Sequence, residues 1–384
     1  MSVFLPDAIV ERMVALRRDV HRHPELSGEE HRTAEKIEDQ LRQLGLEPQR
    51  LANTGVIADV PGRTEGPMVA LRADTDALPV HEETGLPFRS VHEGVMHACG
   101  HDGHTSMLVG AAAMLLAEPP PHDVRLLFQP SEEHGTGAVA MIDAGALDGV
   151  AMIFGGHVDR HYPPGVLAVT AGPVNASTDT FHVEIEGRAG HGARPHEAVD
   201  AIVVGALLVT ALQTIVSREV DPARPSVVTI GRFDAGTANN VIAGRAVLEG
   251  TIRAQHPEVR ERLSRSIERI ARAVGQLHGA QVDVAVRRGT PPLINEADMA
   301  ALARTAAIDV VGEDNVCELH TANMGGEDFS YYLQHIPGCY IRYGAQVAGR
   351  ESFPAHSGQF DIHEDALSVG AAWLDRIART AVVR

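Results

Sequence analysis

The stretch Val124–His157, VRLLFQPSEEHGTGAVAMIDAGALDGVAMIFGGH, reads as a strand, a helix and a strand in succession. Its first apolar run, Val124–Gln129, gives way to the polar Ser131-Glu132-Glu133-His134. A helical stretch at about 137–146 follows, and the second apolar run, Ala151–Gly155, leads into His157. Further strand candidates lie outward at Val69–Arg72 and Val166–Thr170, with a helix at about 104–117 between them. Two helical patterns, about 7–22 and 28–44, open the chain, and Ser27-Gly28-Glu29-Glu30 reads as a capping box for the second. Alternating strands and helices predict an α/β domain with a mostly parallel sheet. Asp74, the Glu132-Glu133 pair and His157 each fall just beyond the C-terminal end of a strand, the edge where open α/β sheets place ligands.

From about 178 to 288 the pattern changes to strand 180–187, helix 196–217, strand 226–233, strand 246–253, helix 257–277 and strand 281–287. This β-α-β-β-α-β order predicts a ferredoxin-like α+β domain, 178–288, inserted into an α/β domain made of 1–177 and 289–384. Gly172-Pro173 and Gly289-Thr290-Pro291-Pro292 flank the crossings.

The 384 residues carry a formal net charge of −18, which argues against a nucleic-acid or anionic-membrane surface. Small molecules or other protein chains are the expected partners. Cys99, Cys317 and Cys339 are too few and odd in number for a disulfide framework, so a reducing cytoplasm is expected. Met1–Asp7 lacks the basic start and apolar core of a signal peptide. The apolar stretch Ala201–Val216, interrupted by Thr210, Gln213 and Thr214, reads as a buried helix rather than a membrane span. Lys36 is the only lysine and lies in an amphipathic helix pattern without a glycine-rich loop, which excludes Schiff-base and phosphate-loop chemistry.

Cys99-Gly100-His101-Asp102-Gly103-His104 and Ser131-Glu132-Glu133-His134 mix thiol, imidazole and carboxylate at close spacing. Such a donor set suits Zn²⁺, Mn²⁺ or Co²⁺ better than Ca²⁺ or Mg²⁺, which favour all-oxygen sites. A Cys-x-His pair alone is more often packing than ligation. Here it is joined by Glu133, by His157 and by a late His356 in Pro354-Ala355-His356-Ser357-Gly358.

Several motifs together resemble the aminoacylase and carboxypeptidase-like metallopeptidases with a dinuclear centre, in their hippurate hydrolase and auxin-conjugate amidohydrolase branch. They are His21-Arg22-His23-Pro24-Glu25-Leu26, Arg72-Ala73-Asp74-Thr75-Asp76-Ala77-Leu78-Pro79 and Met96-His97-Ala98-Cys99-Gly100-His101-Asp102-Gly103-His104. Phe128-Gln129-Pro130-Ser131-Glu132-Glu133, Gly190-His191-Gly192-Ala193-Arg194-Pro195-His196 and Gly325-Gly326-Glu327-Asp328-Phe329 complete the set, which covers nearly the whole chain.

The resemblance implies that Cys99 bridges two divalent ions, Zn²⁺ or Mn²⁺ or Co²⁺, with His101 and Glu133 on one and His157 and His356 on the other. Wider relatives carry a histidine ligand where this chain has Arg72, so Asp74 is expected behind the ligands, orienting one of them. Asp102 and Glu327 are expected beside the centre as well. By resemblance Glu132 is the general base, and His191, from its own or a partner subunit, steadies the oxyanion. Asn240 and Arg253 resemble the grip on a substrate carboxylate, although Arg253 reads equally as a strand-end surface residue and Ala243 stands where the family pattern has proline. The function implied is hydrolysis of an N-acyl amino acid by an amidohydrolase whose inserted domain acts as a lid and pairs two subunits. A dipeptidase needing a free amino terminus, a thiol-redox enzyme on Cys99 and a non-catalytic metal-binding protein are the alternatives.

Overall fold

A computed structural model of the chain describes residues 5–350 and 353–381. Met1–Phe4, within the stretch read as lacking an export signal, lies outside the described residues. The chain separates into two compact units, Met1–Gly172 with Asn295–His320 and Asp328–Arg384, and Pro173–Ile294 with Thr321–Glu327.

The first unit is built on an eight-stranded sheet. In spatial order its strands are Gln49–Leu51, Gly55–Val60, Val124–Gln129, Met68–Asp74, Val150–Asp159, Gly338–Gly344, Leu167–Ala168 and Val316–Cys317. The central run from Val124–Gln129 to Gly338–Gly344 is parallel throughout, and antiparallel pairs occur only outside it. Val150–Asp159 extends past the expected end at Gly155, so His157 lies within the strand. The register explains this, since Gly338–Gly344 pairs with the strand as far as Tyr343 opposite Val158 and Gly344 opposite Asp159.

Helix His101–Ala117 is buried on nearly every side from His101 to Ala112, which is why its apolar residues show no stripe. A Cβ at Gly110 would lie 2.2 Å from Met13 Sδ, so this glycine lets helix Asp7–Arg22 pack against it. Trp373 of helix Asp365–Thr380 is fully buried and meets Tyr343 edge-on at 5.8 Å. The expected capping box does not form. Helix His31–Gln43 is capped by Glu25, whose carboxylate accepts from the Arg32 and Thr33 amides at 3.0 and 2.8 Å. Ser27 Oγ instead donates to Asp76 at 2.7 Å, and Glu30 is buried against Thr54.

The second unit has an antiparallel sheet in the order Ser226–Ala235, Arg245–Ala254, Ser177–Glu186, Gln281–Arg287. Residues alternate between core and surface along Ser177–Glu186, and helices Ala201–Thr214 and Pro257–His278 supply the rest of the core. Asp200 caps the first helix by accepting from Ile202 N–H at 2.9 Å. That helix continues as a π turn through Glu219, long and apolar enough by composition to cross a membrane. The expectation of a buried helix holds for one face only: Val204, Leu208 and Leu212 enter the core, but Ile202, Val203 and Leu207 are 44–48% exposed. Only one side of the helix meets the sheet. Thr321–Glu327, assigned by sequence to the α/β domain, joins the second unit because Asn323 N–H donates to Val174 at 2.8 Å and Ala176 N–H to Asn323 at 2.9 Å.

Candidate metal centre

Cys99, His101, Glu133, His157 and His356 all belong to the first unit and converge there. Gly100 makes this possible between the first two. It takes φ +91, and a Cβ there would lie 2.6 Å from Val158 Cγ2, so only glycine turns the chain from Cys99 straight into the helix at His101.

His101 and His157 each present Nε2 inward because Nδ1 is occupied. His101 Nδ1 donates to the Asp76 carbonyl at 2.9 Å and lies 3.2 Å from its carboxylate, which leaves Nε2 as the lone-pair atom. His157 Nδ1 donates to the Val158 carbonyl at 2.7 Å, and its Nε2 sits 3.2 Å from Cys99 Sγ. His356 Nε2 is 3.4 Å from Glu133 Oε2. Glu133 is fixed through its own amide, which donates to Asp76 Oδ2 at 3.0 Å. The ligand atoms group within 4.8 Å as Cys99-His101-His157, Cys99-Glu133-His356 and His101-Glu132-Glu133. Cys99 is common to the first two groups, and the third brings together His101 and Glu133, the pair that the resemblance places on one ion.

A cation fits this arrangement. His101 Nε2 and Glu133 Oε1, 3.9 Å apart, are both buried without a hydrogen-bond partner. Burial, with the Glu133 carboxylate adding to it, pushes the Cys99 thiol up to about 12, so a thiolate there requires a compensating positive charge. Burial also holds His157 well below its ordinary range, with His104 and Arg342 adding to it, which keeps the imidazole a neutral donor.

Asp74 does not offer a free oxygen. Its Oδ1 takes His104 Nδ1 at 2.5 Å and its Oδ2 takes an Arg72 N–H at 2.7 Å. Burial alone would raise its pKa, but His101, His104 and Arg72 together hold it well below the usual carboxylate range. Arg72 reaches on to Asp328 Oδ1 at 2.8 Å, and Asp328 also accepts from Gln129 and from the Ala138 amide. Asp328 therefore serves this buried network, and the helix it opens is only Phe329–Tyr332. His104 in turn accepts the Val158 N–H on Nε2 at 2.9 Å.

Asp102 stands differently from the expectation. Consecutive helical residues point about 100° apart, so beside an inward His101 the Asp102 carboxylate faces Arg17 at 3.2 Å and His21 at 3.0 Å. The carboxylate that orients the His101 imidazole is Asp76, within the Asp74-Thr75-Asp76 motif. His104 was missed in the sequence, and its signal was the i,i+3 spacing from His101.

In the second unit, His191 pairs with Val241 in a two-stranded ribbon and is exposed, with Nδ1 accepting from Ala193 N–H at 3.1 Å. The same ribbon brings Asn240 close, since its carbonyl accepts from Gly192 N–H at 2.8 Å. Arg253 lies on Arg245–Ala254 between Val227 and Thr178, half-buried, and Glu327 is 2% exposed.

Residues 70–380 match the model of peptidase family M20/M25/M40. The chain belongs to this family. Relatives include an N-acetyl-L-cysteine deacetylase of Bacillus subtilis, 39% identical over 96% of this chain and 88% of its own length. Thermostable carboxypeptidase 1 of Saccharolobus solfataricus is 36% identical over 94% and 93%. A solved Bacillus subtilis structure described as a dinuclear metal binding peptidase from the M20 family superposes with a TM-score of 0.87, at 34% identity over 98% of this chain and 99% of that one. As an M20 member the chain is a hydrolase acting on amide bonds, a metal-dependent amidohydrolase in general class.

Proposed function

We propose that this amidohydrolase cleaves N-acyl amino acids to a carboxylate and a free amino acid. The observation that carries the reading is Glu132 beside His101 and Glu133, all three ligand-type atoms within 4.8 Å, next to ligand groups that share Cys99. Cys99, His101, Glu133, His157 and His356 would hold a pair of borderline divalent ions, Zn²⁺, Mn²⁺ or Co²⁺. Bound there, the ions supply Lewis acidity toward the amide carbonyl and acidify water toward neutrality.

Glu132 takes the proton from the attacking water at its carboxylate and delivers it to the leaving nitrogen as the C–N bond breaks. His191 donates to the oxygen on which negative charge develops. Asn240 and the Arg253 fork take the substrate's carboxylate, the group that distinguishes an acylated amino acid from a simple amide. The deacetylase among the relatives supports an acyl-amino-acid substrate. The relative named a carboxypeptidase favours a peptide bond as the second reading, since the same groups serve that chemistry. The substrate is a small molecule in either case. The exposed Ile202, Val203 and Leu207 support pairing of two copies through the second unit, and the Cys99 thiolate suits a reducing cytoplasm.

The test is amine release from N-acetyl, N-benzoyl and longer N-acyl amino acids, alongside dipeptides, by protein stripped with chelator and restored with each metal. Metal-dependent release from N-acyl amino acids, falling about 10²- to 10⁴-fold in Glu132→Gln, is expected. Release from dipeptides alone would overturn the substrate class, and full activity in Glu132→Gln would overturn the assignment of the base.

A further inference from the structure

We propose that Arg17 is a positioning residue for the metal centre, tying together the segments that carry His101 and His356 and so setting the affinity for the ion that His356 helps to hold. This rests on the ligand assignment above.

Arg17 lies on helix Asp7–Arg22 and is 2% exposed, yet its guanidinium serves three carboxylates. Nε donates to Asp102 Oδ2 at 3.2 Å, Nη2 to Asp361 Oδ1 at 2.7 Å and Nη1 to Glu364 Oε1 at 3.2 Å. Asp102 follows His101 in the first turn of its helix, and His21 Nδ1 holds the same oxygen at 3.0 Å. Asp361 and Glu364 close the loop in which His356 lies. One buried fork thus spans a ligand-bearing helix start and a ligand-bearing loop.

The loop needs such support. His356 has φ +69, in the left-handed region that disfavours a side chain, and its imidazole is 55% exposed, so packing does little to hold it. Two backbone bonds hold the near side: His356 N–H donates to the Ala98 carbonyl at 2.8 Å, and Glu83 N–H to the Gly358 carbonyl at 2.7 Å. Arg17 holds the far side, behind the buried Phe360 and Ile362. Only a rigid planar fork reaches three acceptors at fixed angles, so a lysine keeps the charge and loses the geometry.

The experiment uses the full chain loaded with Zn²⁺ and then dialysed, with bound metal counted per chain and affinity read by competition with a chromophoric chelator. Arg17→Met, Arg17→Lys and Asp361→Asn are compared with His356→Ala as the reference for loss of one ion. Arg125→Met is the control, because Arg125 forks Asp59 at 2.8 Å and touches neither the His101 helix nor the His356 loop. Thermal melting places all variants on one stability scale. The expected result is an affinity for the His356-dependent ion about 10- to 100-fold lower in the Arg17 and Asp361 variants, the other ion being retained. Arg125→Met keeps both at any loss of stability. Wild-type affinity for both ions in Arg17→Met and Asp361→Asn overturns the proposal, and Asp361→Asn decides alone if Arg17→Met does not fold. A wild-type chain that retains no Zn²⁺ overturns the ligand assignment instead.

Discussion

His21 should make this protein lose stability as the solution turns alkaline, and the size of the loss follows from its surroundings. The imidazole is 1% exposed. Burial disfavours its charged form, but the hydrogen bond and charge of Asp102 outweigh that, with Glu82 helping at 3.3 Å, and its pKa rises from the ordinary 6.5 to about 9. A raised folded-state pKa means that the native state binds the proton more tightly than the unfolded chain. The contribution is therefore fully present below about 6.5 and is lost as pH rises through about 9. At roughly 1.4 kcal/mol per tenfold change in proton affinity, that interval corresponds to ~3 kcal/mol. The assay is urea unfolding of wild type and His21→Gln in parallel, from about pH 6 to about pH 9.5, with the metal content of both held equal so that metal-linked terms cancel in the difference. Wild type should be the more stable by ~3 kcal/mol more at the acid end than at the alkaline end. Parallel curves would show that His21 is not held as an imidazolium between Asp102 and Glu82, and the reasoning would fail.

Asp76→Asn should lower metal affinity by about 10- to 100-fold, since Asp76 holds both His101 Nδ1 and the Glu133 amide; unchanged affinity in a chelator competition would remove it from that role. Arg72→Met leaves Asp74 and Asp328 buried with fewer partners, so its denaturation midpoint should reflect a loss of about 3–5 kcal/mol, and Asp328→Asn added to it should recover part of that. A double variant no more stable than Arg72→Met would show that the uncompensated charge is not the cause.

The second unit was legible because its side chains obey simple periods. Ser177–Glu186 alternates core and surface, and Pro257–His278 buries Val259, Leu263, Ile267 and Ile270 at helical spacing. The central strand Gly338–Gly344 carries no such signal. All seven of its residues are buried, Arg342 among them, so neither alternation nor polarity marks it, and only pairing with Val150–Asp159 identifies it. The reading of Ser27–Glu30 failed for a related reason. A local capping pattern competed with a distant acceptor, Asp76, and the distant acceptor took the hydroxyl.

The same limit separates Asp76 from Asp102. Donor types at close spacing make Cys99, His101 and Glu133 stand out in the sequence as candidate ligands, because a metal's preference for thiolate, imidazole and carboxylate is a property of the residues themselves, whereas His157 and His356 lie far along the chain and join the set through the family resemblance. Which carboxylate supports them is a property of direction. Asp102 is adjacent to His101 in sequence yet turned by one helical step toward Arg17, whereas Asp76 sits 25 residues away and meets the imidazole through both its carbonyl and its carboxylate. A spacing rule finds what lies near in the chain, and an imidazole is oriented by what lies near in space. If the Arg17 fork acts as inferred, Asp102 too bears on the centre, not through any bond to a ligand but through the guanidinium that it shares with Asp361 and Glu364.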